Sequence, residues 1–106
     1  MAEQNRKYRV IVSKKAADML VSHAVFLAGV SASAAESLIS SFESAAGSLE
    51  ELPYRCPWLT GEYIPRNVYR KLLFEGRYLM IYQIKDDTVY VDYVVDCRQD
   101  YRWLTV

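Results

Sequence analysis

Histidine is almost missing from this chain: His23 is the single one among 106 residues. A structural zinc site needs about four nitrogen or sulfur ligands, most often histidine and cysteine. The two cysteines, Cys56 and Cys97, form neither a CxxC pair nor a zinc spacing. A metalloenzyme is therefore a distant reading, and the sequence calls for no metal and no cofactor. The cysteines are most simply two reduced thiols. No apolar run approaches the roughly 18 residues of a membrane helix, and the first seven residues, MAEQNRK, lack the apolar stretch of a secretion signal. The expected location is cytoplasmic, with no membrane partner. Net charge is also missing, with 13 cations against 13 acids. Proteins that rely on nucleic-acid backbone contacts usually carry a net basic face. Here only a local basic patch is available, Arg55, Arg66, Arg70, Lys71 and Arg77. No classical catalytic motif is present.

What is there is the composition of one globular domain, 52% apolar and 25% charged. Order is expected from about residue 7 onward. Residues 7–13 alternate, with Tyr8, Val10 and Val12 on one face and Arg9 and Ile11 on the other, which predicts a first strand. Ser13 fits the N-cap of a helix over residues 14–28. Gly29 fits its end in a left-handed conformation. Ser33 and Glu36 form a capping box for a second helix. Its apolar stripe is Ala35, Leu38, Ile39, Phe42, Ala45, Ala46, Leu49 and Leu52. The short link makes the two helices an antiparallel hairpin.

Residues 53–66 hold three prolines together with Tyr54, Trp58 and Tyr63, a loop long enough to be packed or functional. Three strands follow, over residues 67–74, 77–85 and 88–96, joined by the short turns Glu75-Gly76 and Asp86-Asp87. In the last strand Val89, Val91, Tyr93 and Val95 are expected to face the helices, leaving Asp92 on the open, solvated side. The order is β-α-α-β-β-β, an α+β fold with the helical hairpin on an antiparallel-rich sheet and a short helical tail from Gln99. That last strand ends in a polar cluster, Asp96-Cys97-Arg98-Gln99-Asp100-Tyr101.

The residues at this point resemble a known family. Tyr69-Arg70-Lys71-Leu72-Leu73, Tyr78-Leu79-Met80-Ile81-Tyr82-Gln83-Ile84 and Asp96-Cys97-Arg98-Gln99-Asp100-Tyr101 resemble, in order and spacing, the last three strands of the RelE/ParE superfamily. These are toxins of type II toxin–antitoxin systems, also called plasmid stabilisation proteins. The resemblance covers residues 8–104. It implies an antitoxin partner and one of two targets. RelE-like members cut messenger RNA in the ribosome with basic residues on the sheet, an arginine after the fourth strand and an acid/base side chain. ParE-like members lack that set and inhibit DNA gyrase.

Carried onto this chain, the resemblance makes Arg98, Arg77, Arg70 and Tyr101 the candidates for catalysis. Asp96 and Cys97 stand where the family carries histidine and glycine, and Leu79 stands at the aligned strand arginine. Metal-free cleavage needs a base for the 2′-hydroxyl, cations for the phosphorane and an acid for the leaving oxygen. The three arginines could supply cations. Tyr101 or Asp96 could carry a proton. The plainer alternatives are a local ion pair for Arg98 and a solvated sheet face for Arg70, Lys71 and Arg77. Trp103, Lys71 and Asp96 are candidates for partner contact, and Trp58 for a docking anchor. His23, next to an apolar stripe, reads as structural. A degenerate family member that serves as a protein-binding module is the second reading.

Overall fold

The structure is a computed structural model that describes residues 7–97. The expected helical tail and the first six residues lie outside the described part. The element order is β1 (Arg9–Val12), α1 (Lys14–Ala28), α2 (Ala32–Ser48), a 3-10 turn (Pro53–Arg55), β2 (Arg70–Phe74), β3 (Tyr78–Lys85) and β4 (Thr88–Asp96). The four strands make one sheet in the order β1-β4-β3-β2. β1 runs parallel to β4, and the β2–β3 and β3–β4 pairs are antiparallel. This is the predicted α+β order.

Ser13 makes the join between β1 and α1. Its amide donates to Val91 O at 2.9 Å, its hydroxyl donates to Asp92 O at 3.3 Å, and its Oγ caps Ala16 N at 3.0 Å. The second helix starts differently from the capping-box expectation: Ser31, not Ser33, accepts from Ala34 N at 3.3 Å. Gly29 is right-handed, with φ of −67°, because the chain re-enters a helix within three residues and needs no left-handed stop. Both strand turns do use the left-handed region, with φ of 53° at Glu75, 75° at Gly76 and 58° at Asp86. Those values suit the tight antiparallel turns they close.

Two apolar clusters fill the two faces of the sheet. Between helices and sheet lie Ala16, Leu20, Leu38, Phe42, Leu49, Met80, Tyr82, Val89, Val91 and Val94. On the opposite face lie Leu59, Ile64, Leu79, Ile81 and Val95. The long loop before β2 supplies Leu59 and Ile64, so this face is not open as expected. Leu52, placed by the sequence at the end of the helix stripe, is 65% exposed. α2 ends at Ser48, before the stripe reaches it.

The larger correction concerns β4. Ile81 pairs with Tyr93, but Tyr82 pairs with Val91, leaving Asp92 as an extra residue. A bulge of this kind breaks the two-residue period. Val89 and Val91 face the helices as expected, while Val94 takes the helix side and Tyr93 and Val95 turn to the other. Asp92 is half-buried rather than solvated, and Gln83 Nε2 donates to its Oδ2 at 2.6 Å.

Candidate functional site

The candidate cations of the sheet sit in three different environments. Arg70 begins β2 at the sheet edge. Its Nη1 donates to Cys56 O at 2.6 Å and to Tyr54 O at 3.3 Å. Its guanidinium lies 3.9 Å from the Trp58 ring centre and 5.3 Å from that of Tyr54. The side chain therefore fastens the long loop to the strand.

Arg77 lies at the other end of the β2–β3 hairpin. Arg70 pairs with Tyr82, and Phe74 pairs with Tyr78. About 13 Å of strand separates Arg70 from Phe74, next to the turn that holds Arg77. The fold does not bring the two arginines together. Arg77 Nη2 is 3.3 Å from Asp96 Oδ2, and its guanidinium is 5.5 Å from the Tyr78 ring centre. Cys97 N donates to Arg77 O at 2.8 Å and fixes the exit of β4 beside it. Arg77 Nε is buried without a hydrogen-bond partner among the described residues.

Lys71 points to the sheet face away from the helices. It lines a groove of about 610 Å³ with Arg55, Pro57, Leu73, Leu79 and Cys97. The rest of that face near it is apolar: Leu79, Ile81 and Val95 are buried there, and Leu73 is 56% exposed. Arg98, Tyr101 and Trp103 lie outside the described residues. Cys56 is buried and Cys97 exposed, and both are free thiols.

His23 is structural, as its sequence setting suggested. Its Nε2 donates to Val94 O at 3.0 Å, and its ring lies 5.0 Å from that of Tyr78. β1 ends at Val12, so the edge of β4 beyond Val91 has no strand neighbour on that side. Ser13 and His23 supply part of the missing donors. Tyr69 and Tyr93 meet edge to face at 6.0 Å beside the bulge. Burial, reinforced by Tyr93 and Asp92, pushes the Tyr69 hydroxyl above its usual value. That makes Tyr69 a poor base at neutral pH.

Sequence reasoning missed three of these arrangements. One is the pairing of Tyr54 and Trp58 with Arg70. Another is Lys15 lying 5.3 Å from the Tyr93 ring centre. The third is the clamp of Ser41 and Ser37 on Glu75. The aromatic residues in a proline-rich loop were a visible signal for the first. The other two depend on how α1 and α2 cross the sheet, which no local pattern encodes.

The sequence profile of the family described as ParE toxin of type II toxin-antitoxin system, parDE, matches residues 10–101. The chain belongs to this ParE toxin family. Solved structures share the fold. One is described as a chromosomal ParDE toxin–antitoxin system from P. aeruginosa. It superposes with a TM-score of 0.71 at 13% identity, over 85% of this chain and 96% of that one. Another is the solution structure of a conserved hypothetical protein from Helicobacter pylori. It gives a TM-score of 0.56 at 15% identity, over 87% of this chain and 97% of that one. No curated protein matches the chain in sequence. The match places this protein among the toxins of type II systems, whose partner is an antitoxin. Among the described residues no helix is long and apolar enough to cross a membrane.

Large apolar side chains are exposed along α1 and just after its end. Val21, Val25, Phe26 and Val30 are 55%, 66%, 71% and 79% exposed. Beside them Ala24, Ala35, Glu36, Ile39 and Ser40 line a shallow groove between the helices. Large apolar residues grouped at the surface of a small protein commonly mark a partner site.

Proposed function

We propose that this ParE-family toxin arrests growth by binding a protein target, as a gyrase inhibitor does, and not by cutting ribosome-bound mRNA. The observation that carries this reading is the chemistry of the sheet face away from the helices. The position aligned with the family's strand-3 arginine is Leu79, and Leu73, Ile81 and Val95 share its face of the sheet and are apolar. Among the described residues the cations that line the groove there are Lys71 and Arg55. Arg70 is engaged with loop carbonyls and two rings, and Arg77 with Asp96. Cleavage of RNA by 2′-hydroxyl attack needs cations and an acid/base pair converging on one phosphate. These side chains are spread over the length of a hairpin.

The antitoxin is expected to lay an amphipathic helix on the exposed face of α1 and the groove beside it. The degenerate binding-module reading keeps this docking but predicts no toxicity. Two assays on the purified chain decide among the three. A DNA supercoiling assay with gyrase should show inhibition, relieved by the antitoxin. A ribosome-dependent mRNA cleavage assay should show no new cuts. Cleavage without gyrase inhibition overturns the proposal, and silence in both assays with normal growth on strong expression favours the binding module.

A further inference from the structure

The long connection between α2 and β2 builds a surface of its own at the β2 edge. Trp58, Arg70 and Tyr54 form a stack, and Tyr8 meets Tyr54 edge-on at 6.0 Å. Backbone bonds hold Trp58 in place on both sides. Lys71 N donates to Pro57 O at 3.1 Å, and Leu59 N donates to Tyr69 O at 2.7 Å. The buried Leu59 on one face of the sheet and the Tyr82 hydroxyl on the other, which donates to Pro53 O at 2.6 Å, tie the loop to the sheet edge. Yet Trp58 is 39% exposed and Tyr54 55% exposed. Large rings held rigid at a surface have already lost the freedom that binding would otherwise remove. Tryptophan, tyrosine and arginine are also the residue types that dominate interface energetics.

We propose that this Trp58–Arg70–Tyr54 platform is the surface through which the toxin grips its target, and that the target presents an acidic protein surface to it. The inference rests on the protein-target reading above. Charge selects the occupant. Residues 52–71 carry Arg55, Arg66, Arg70 and Lys71 against the single acid Glu62. Single-stranded RNA is the poorer fit. Arg70 covers one face of Trp58 at 3.9 Å and leaves only the other for a base to stack on. The chain as a whole is also neutral. The platform belongs to the loop and the β2 edge, so it is separate from the apolar face of α1.

The test measures binding of the full chain to immobilised purified gyrase. Wild type is compared with Trp58→Ala, Tyr54→Ala, Arg66→Glu and the α1 variant Val25→Asp. Arg66 is exposed, so its variant changes charge without disturbing the loop. The expected result is binding weakened about tenfold or more in the three loop variants. Val25→Asp should bind like wild type, and wild-type binding should fall as salt rises. Binding of Tyr54→Ala and Arg66→Glu within about twofold of wild type overturns the assignment alone, whereas absence of wild-type binding overturns the protein-target reading and the platform with it. Loss of affinity for fluorescein-labelled single-stranded RNA in these variants, with gyrase binding intact, also overturns it in favour of a nucleic-acid site. Growth arrest and ribosome-dependent cleavage by wild type are scored separately, because they test the protein-target reading and not the platform.

Discussion

Gln83 and Asp92 are joined across the β3–β4 ladder by a 2.6 Å hydrogen bond, at the point where β4 takes in its extra residue. The bond holds the bulge, and the bulge decides which half of the last strand faces the helices. Val94 is fully buried against them, whereas Tyr93 lies half-buried on the opposite face. Val94→Ala is expected to lower stability by about 2 kcal/mol, the cost of a buried side chain and the space it leaves. Tyr93→Ser should cost less. Urea denaturation with an unchanged m-value checks both. Equal or reversed costs would mean that β4 keeps strict alternation.

The long loop is anchored from the sheet. Tyr82 is fully buried, and burial pushes its hydroxyl well above its usual value while it donates to Pro53 O at 2.6 Å. Tyr82→Phe leaves that carbonyl unpaired and should cost about 1–2 kcal/mol. Amide exchange should quicken in the loop residues 53–59 and remain unchanged in α1. Uniform acceleration would place the effect in the core.

Arg70→Lys keeps the charge and loses the planar group that lies between Trp58 and Tyr54. Lysine cannot reproduce a stacked guanidinium that also donates to a carbonyl. The expected loss is about 1–2 kcal/mol, read by thermal melting, with quenching of Trp58 fluorescence altered. An unchanged melt would show that the backbone bonds alone hold the loop.

Glu75 ties the β2–β3 turn to α2. The hydroxyls of Ser41 and Ser37 donate to its carboxylate and hold its pKa below the usual carboxylate range. A depressed folded-state value contributes stability that is present at neutral pH and lost as pH falls through that value. The melting temperature of wild type should exceed that of Glu75→Gln at pH 7, with the gap closing below about pH 4. A gap independent of pH would remove the carboxylate from the effect.

Val25 and Phe26 are 66% and 71% exposed on α1. Val25→Asp should leave the melting temperature within a degree or two and weaken antitoxin binding by about tenfold or more, read by calorimetry. Unchanged affinity would move the antitoxin elsewhere on the chain.

Much of the fold was legible in the residues themselves. The bounds of α1 and β4 came from Ser13 as a cap, from the apolar steps of α1 and from the alternation opening at Val89. The second helix and β2 were shifted at their ends, where Ser31 rather than Ser33 caps and where Asn67, with φ of 57°, keeps the chain out of the strand. The candidate site was legible only as residue types. Arg70 and Arg77 look alike in the sequence, yet one fastens a loop and the other pairs with Asp96.

Sequence alone determined the element order, the helical hairpin, the turn chemistry at Glu75-Gly76 and the family. These follow from local periodicity and backbone preference, which each residue carries with it. Only the tertiary structure decided that β4 changes face at Asp92, that the loop closes over the far side of the sheet, and that Arg70 is spent between Trp58 and Tyr54. Those outcomes depend on which distant segments compete for the same apolar surface and the same donors, and that competition exists only once the chain has folded.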